Sequence, residues 1–229
     1  MTKIKQLFLL FTFGVFIQCL SINALSAGTS TAAKDKPTYY IYLAGPEVFL
    51  PDPIEAGVSK KSTIDKLNKE NDWPFTLVGL YPMDNEIEDF APDYRTGINI
   101  YRANIALMEQ ADFIVANMVR FRSPSMDVGT AFEMGYMSSA KKPVFAYYDA
   151  KPFYGKPEQP GLYAERVAKH YPLSKEKEGV DAYGQSIENF NMEDNLMMIG
   201  ALETGRISES FDVAIIKIAE MLKISKHND

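Results

Sequence analysis

Residues 112–148, DFIVANMVRFRSPSMDVGTAFEMGYMSSAKKPVFAYY, decide the fold. Asp112 to Met118 is a short apolar run of the kind that forms a strand buried on both faces. Val119 to Met126 carries Pro124 and polar residues and reads as a loop. Asp127 to Ala140 reads as a helix, and Pro143 to Tyr148 as a second strand. A strand, a crossover helix and a further strand form a βαβ unit, whose strands run parallel.

The same alternation extends on both sides. Upstream, Thr38 to Leu43 (TYYIYL) is rich in aromatic and β-branched residues and reads as the first strand. Ala44 to Pro53 holds Gly45 and three prolines and forms a loop. Ile54 to Asn71 is a helix of mixed polarity, and Phe75 to Leu80 a strand. Acids, prolines and turn residues run on to about Arg95. Ile98, Tyr101, Ile105, Leu107 and Met108 give Gly97 to Gln110 a helical pattern. Downstream, residues 149–160 contain Pro152, Gly155, Pro157 and Pro160 and read as a loop. Leu162 to His170 forms a short helix, and Phe211 to Ile224 closes the chain as an amphipathic helix. No internal repeat is visible. The expected class is α/β: a doubly wound, mostly parallel sheet flanked by helices, flavodoxin-like or Rossmann-like. Sites in such sheets form at the carboxyl ends of strands where the winding reverses. The loops after Leu43 and Met118 are therefore the places to look.

The first residues do not belong to this pattern. Lys3 and Lys5 precede an almost wholly apolar stretch from Leu7 to Leu20, and small residues follow at Ala24, Ser26, Ala27 and Gly28. This is the layout of a secretory signal peptide over residues 1–27. Residues 28–37 then read as a polar linker and 38–229 as one domain. The apolar stretch is shorter than the ~20 residues a spanning helix needs, so no stable membrane anchor is expected. Cleavage takes away two lysines and no acidic residue, moving the formal charge from −6 to −8. It also removes Cys19, the only cysteine, which suits an oxidising compartment. Export to a periplasm or secretion is the expectation. An acidic chain lacks the basic footprint for a phosphate backbone, so nucleic acid is not an expected partner. The remaining histidines, His170 and His227, stand far apart, which argues against a metal centre. There is no P-loop, no GxGxxG fingerprint and no GxSxG elbow.

The richest segment is Ser123–Tyr136, SPSMDVGTAFEMGY. Asp127 stands where loop becomes helix, an ordinary capping position. Glu133 lies well inside the helix. Gly129 and Thr130 fall one turn before it, at the two spacings that share a helix face. Glycine is unfavourable in a helix interior, and small residues beside a carboxylate leave room for a ligand. A carboxylate in a largely apolar pocket can act as a covalent nucleophile on a sugar, as in retaining glycosidases. Ala131, Phe132 and Met134, joined by Met197 and Met198 if their loop folds over, are expected to make those surroundings apolar. Asp127 is a candidate to assist the leaving group. Tyr42, near the end of the first strand, is a candidate to orient Glu133. A surface glutamate, a structural cap and a core tyrosine fit the same positions.

The stretches IYLAGPEVF, ANIALMEQADFIVANM and DVGTAFEMGYMSSAKKPV, with FNMEDNLMM further on, resemble the nucleoside 2-deoxyribosyltransferase family. Together they cover most of residues 38–202 in family order. The resemblance implies that Glu133 is the nucleophile, that Asp127 contacts and helps protonate the base, and that Tyr42 bonds the nucleophile. It places Asn195 at the asparagine that a neighbouring subunit lends to the sugar 5′-hydroxyl. It further implies a homo-oligomer, no cofactor, and deoxynucleosides and nucleobases as substrates. Gly45, Gly129, Asn104 and Asn195 become candidate substrate-binding residues. Many relatives have aspartate where this chain has Asn104; an amide keeps the hydrogen bonding but cannot deliver a proton. The insertion-like stretch around 149–185 is a second departure, and the leader a third. Transfer of a deoxyribosyl group between bases is the leading expectation. The alternatives are a nucleoside hydrolase at the same site and a nucleoside-binding module without turnover.

Overall fold

The computed structural model describes residues 36–87 and 90–227, so the expected signal peptide and most of the linker lie outside the described residues. Lys36 and Pro37, expected to end the linker, are held by the fold instead. Lys36 Nζ lies 2.8 Å from Asp72, and the Pro37 carbonyl accepts from the Thr76 N–H at 2.9 Å.

Four strands form one parallel sheet: β1 (Thr38–Ala44), β2 (Thr76–Leu80), β3 (Phe113–Asn117) and β4 (Val144–Tyr147), in the order β2-β1-β3-β4. The chain steps from β1 to one neighbour, then returns past it to β3 on the other side. The winding therefore reverses between β1 and β3, whose register pairs Tyr42 with Ile114 and Ala44 with Ala116. The long helices are α1 (Pro53–Asn71), α2 (Tyr94–Gln110), α3 (Val128–Ser139) and α7 (Phe211–His227).

Side-chain alternation along the strands sorts the helices into two layers. Ile41, Leu43, Leu77, Phe113, Val115 and Phe145 face α1 and α7 and pack with Ile64, Leu67, Ile215 and Ile218. Tyr42, Ala44, Ile114, Ala116 and Ala146 face the other way, against Met108 of α2 and Met134 and Met137 of α3. Ala44, Ala116 and Ala146 stand in register on three adjacent strands. That row of small side chains is buried in the cluster on the α3 side.

Capping sets the helix starts. The Asp93 side chain accepts from the Thr96 N–H at 2.8 Å, so α2 begins three residues before its first glycine, ahead of its apolar pattern. Residues 149–160, expected as loop, contain a single helical turn, α4 (Lys151–Tyr154). Pro152 suits its first turn, and Gly155, with φ 71°, ends it in the left-handed region. Two short helices follow, α5 (Tyr163–His170) and α6 (Leu196–Gly200). Among the described residues no helix is long and apolar enough to cross a membrane.

Candidate active site

Tyr42 and Glu133 are 91 residues apart, and the fold brings them into contact: the Tyr42 hydroxyl donates to Glu133 Oε1 at 2.6 Å. Tyr42 is fully buried near the end of β1, on the strand face that looks toward α3. Glu133 is half-buried on α3. Burial pushes the Glu133 carboxyl up to about 7; the Tyr42 hydrogen bond opposes the rise, the Asp127 charge adds to it, and Lys60 opposes it. Burial and the adjacent Glu133 raise the Tyr42 phenol far above its ordinary value, so it remains a donor.

Asp127 is the N-cap of α3. Its Oδ2 accepts from the Thr130 N–H at 2.9 Å and the Thr130 hydroxyl at 3.0 Å. Among the described residues no donor reaches Oδ1. One oxygen thus caps the helix while the other stays free, six residues before Glu133. Gly129 is exposed, and a Cβ there would lie 3.0 Å from Asp127 Oδ2. The apolar neighbours of Glu133 divide by helix geometry. Met134 is fully buried against the sheet, whereas Phe132 is 52% exposed and meets Tyr101 of α2, ring centroids 6.1 Å apart. Met134 shares its cluster with Tyr42, the tyrosine bonded to Glu133.

Asn104 lies on α2 and accepts from Asn85 Nδ2 at 3.4 Å. Both amides line a slot of about 210 Å³ with Met83, Ile87, Phe90 and Ile100. No hydrogen bond links Asn104 to Glu133 or Asp127 among the described residues. Asn195 caps α6: its Oδ1 accepts from the Met197 N–H at 3.0 Å, and its Nδ2 donates to Glu188 Oε2 at 2.7 Å.

Gly45 has a structural reason to be glycine. Its φ is +151°, and a Cβ would collide with the Glu47 carboxylate. Glu47 itself was not among the residues singled out from the sequence. It is buried, and its Oε1 accepts from Tyr147 Oη at 2.7 Å and Asn117 Nδ2 at 2.9 Å, with Lys60 Nζ at 2.9 Å. Burial would raise its pKa, but the Lys60 charge and these hydrogen bonds outweigh it and hold the carboxyl below its usual value. Asn117 also accepts from the backbone N–H groups of Val119 and Asp149, each at 3.1 Å. The loops leaving β1, β3 and β4 are thereby joined beneath the candidate site. The one hint in the sequence was an acid directly after Gly45-Pro46 in an otherwise apolar loop start.

Comparison with known proteins identifies the family and the fold. The nucleoside 2-deoxyribosyltransferase family profile matches residues 41–197, a span that runs from within β1 to the start of α6. A 2-desoxiribosyltransferase from Leishmania mexicana superposes with a TM-score of 0.52 at 28% identity, over 80% of this chain and 97% of that one. A conserved protein from Enterococcus faecalis shares the fold, with a TM-score of 0.50 at 21% identity over 80% of this chain and 99% of that one. An uncharacterized protein of Schizosaccharomyces pombe is 34% identical over 110 residues, 47% of this chain. That match spans about half the length of the yeast protein, 48%. Given the extent of the profile match, the chain belongs to the nucleoside 2-deoxyribosyltransferase family.

Proposed function

We propose that the protein transfers the 2-deoxyribosyl group of a deoxynucleoside between nucleobases through a covalent glycosyl-enzyme on Glu133. The observation that carries this reading is the 2.6 Å bond from a buried tyrosine to a half-buried carboxylate. It leaves the second carboxylate oxygen, Oε2, for attack. In the first step Glu133 forms a bond to C1′ while the C1′–N bond breaks and its electron pair leaves with the base. Asp127, entering this step protonated at its free Oδ1, gives that proton to the departing base and is left as the carboxylate. In the second step another base attacks C1′, returns a proton to Asp127 and releases Glu133. A retaining double displacement of this kind needs one nucleophile and one acid–base group, and no metal. The amide of Asn104 has no acidic proton to give, which leaves base protonation to Asp127.

The test is base exchange. Purified protein is incubated with a deoxynucleoside, with and without a second free base, and both products are followed. A new deoxynucleoside is expected, together with one deoxyribosyl group on acid-quenched protein when the acceptor is withheld. Glu133→Ala removes the nucleophile and suits a helix, so it abolishes both signals while the protein stays folded. Equal release of free deoxyribose with and without acceptor, and no new nucleoside, would instead assign a hydrolase.

A further inference from the structure

Asp194 is 1% exposed, and nothing in the transfer chemistry above uses it. Its carboxylate is fully engaged. Oδ1 accepts from the Ser125 hydroxyl at 2.5 Å and from the Asn195 N–H at 2.8 Å. Oδ2 accepts from the Met126 N–H at 3.2 Å and from Arg166 Nη2 at 3.3 Å. Arg166 in turn spends its remaining donors on backbone carbonyls. Nε reaches Pro124 O at 2.6 Å, Nη2 reaches Glu193 O at 2.6 Å, and Nη1 bonds the carbonyls of Pro160 and Gly161.

The placement of these bonds is specific. Residue 126, whose N–H is held, directly precedes Asp127; residue 195 is held through its own N–H. A single buried carboxylate thus fixes the backbone beside one candidate site residue and at another, across 68 residues of chain. Arg166 comes from α5, inside the stretch whose presence departs from the family pattern. The side chain of Asp127 is already pinned at Oδ2 by Thr130, so its free Oδ1 can move only with the backbone of residues 126–127. A buried ion pair is poor value for stability alone, because desolvation offsets most of its attraction. Its geometric specificity is what this location can use.

We propose that Asp194, neutralised by Arg166, is a positioning residue that aims the free oxygen of Asp127 at the departing base and locks the Asn195 turn to the same loop. The proposal rests on the transferase reading. A group held within about 1 Å of its working position can lose on the order of 10²-fold in rate when released.

The experiment is a double-mutant cycle in the full chain. Single-turnover loss of base is measured for wild type, Asp194→Asn, Asp127→Asn and the double variant, with melting temperatures recorded. The expected result is a loss on the order of 10²-fold for Asp194→Asn in the wild-type background. In the Asp127→Asn background the further loss is within about 2-fold, because the group being aimed is gone. Equal losses in both backgrounds mean a structural role only and overturn the proposal, as does a folded Asp194→Asn enzyme with wild-type rate. If Asp194→Asn fails to fold, Ser125→Ala takes its place in the same cycle, with the same pattern at smaller size. A wild-type protein that neither exchanges nor hydrolyses deoxynucleosides defeats the transferase reading itself, and the proposal with it. Wild-type turnover with an additive cycle defeats the positioning role alone.

Discussion

Glu133 works as a nucleophile only when ionised, yet its surroundings favour the protonated form. Burial raises the carboxyl to about 7, and the Tyr42 hydroxyl, more than Lys60, limits the rise. Two consequences follow for activity against pH. In the free enzyme kcat/KM is expected to climb as pH rises through about 7 and to fall away on the acid side. Tyr42→Phe removes the hydrogen bond that favours the charged form, so the acid limb moves to higher pH and the rate at pH 6 drops more than the rate at pH 8. A pH–rate profile of both proteins checks this; an unmoved limb in Tyr42→Phe would detach Tyr42 from the nucleophile. Residue type and spacing made Glu133, Asp127 and Tyr42 legible as candidates. Their contact was not legible, because nothing local to either segment encodes a bond across 91 residues. Gly45 was legible as unusual, but its reason, the collision a Cβ would make with Glu47, exists only in three dimensions.

At the scale of elements, strands were readable because each is a short apolar run bounded by turn residues, and β3 and β4 are buried at every position. Helix ends were less readable where a cap lies beyond the apolar pattern, as at Asp93, or where prolines suggest a loop, as at α4. α6 was missed because five residues carry too little periodicity to register. The buried Glu47–Lys60 pair, with Asn117 and Tyr147, is what ties α1 to the ends of β1, β3 and β4. Glu47→Gln leaves the Lys60 charge buried without its partner, and the expected cost is about 3–5 kcal/mol in chemical denaturation. The pH sense follows from the depressed pKa. The stabilisation is complete above the ordinary carboxylate value and is lost as pH falls through the lower, folded value. The gap between wild type and Glu47→Gln should therefore narrow on acidification; a constant gap would mean the charge contributes nothing.

At the scale of the whole molecule, we propose export by cleavage of a leader and assembly into a homo-oligomer. The described fold begins at Lys36 and Pro37, and the expected leader lies outside the described residues. Native protein is expected to begin near Gly28 by N-terminal sequencing, and an intact Met1 would refute export by cleavage. The surface argues for self-association. Val128 and Phe132 of α3, Tyr101 of α2 and Met197 of α6 are 83%, 52%, 51% and 66% exposed. The Tyr101, Phe132 and Tyr136 rings run together, with centroids 6.1 and 6.4 Å apart. A joined aromatic face on helices that border the nucleophile is unusual for a monomer and normal for an interface. It lies on α2 and α3, the helix that carries Glu133. Asn195 uses its side-chain oxygen and one amide hydrogen within its own chain, which orients the amide. Sedimentation is expected to show a homo-oligomer. Tyr101→Asp, which places a charge in the middle of the aromatic face, should shift it toward monomer and make specific activity fall on dilution. A wild-type monomer with full activity would mean that each site is complete within one chain.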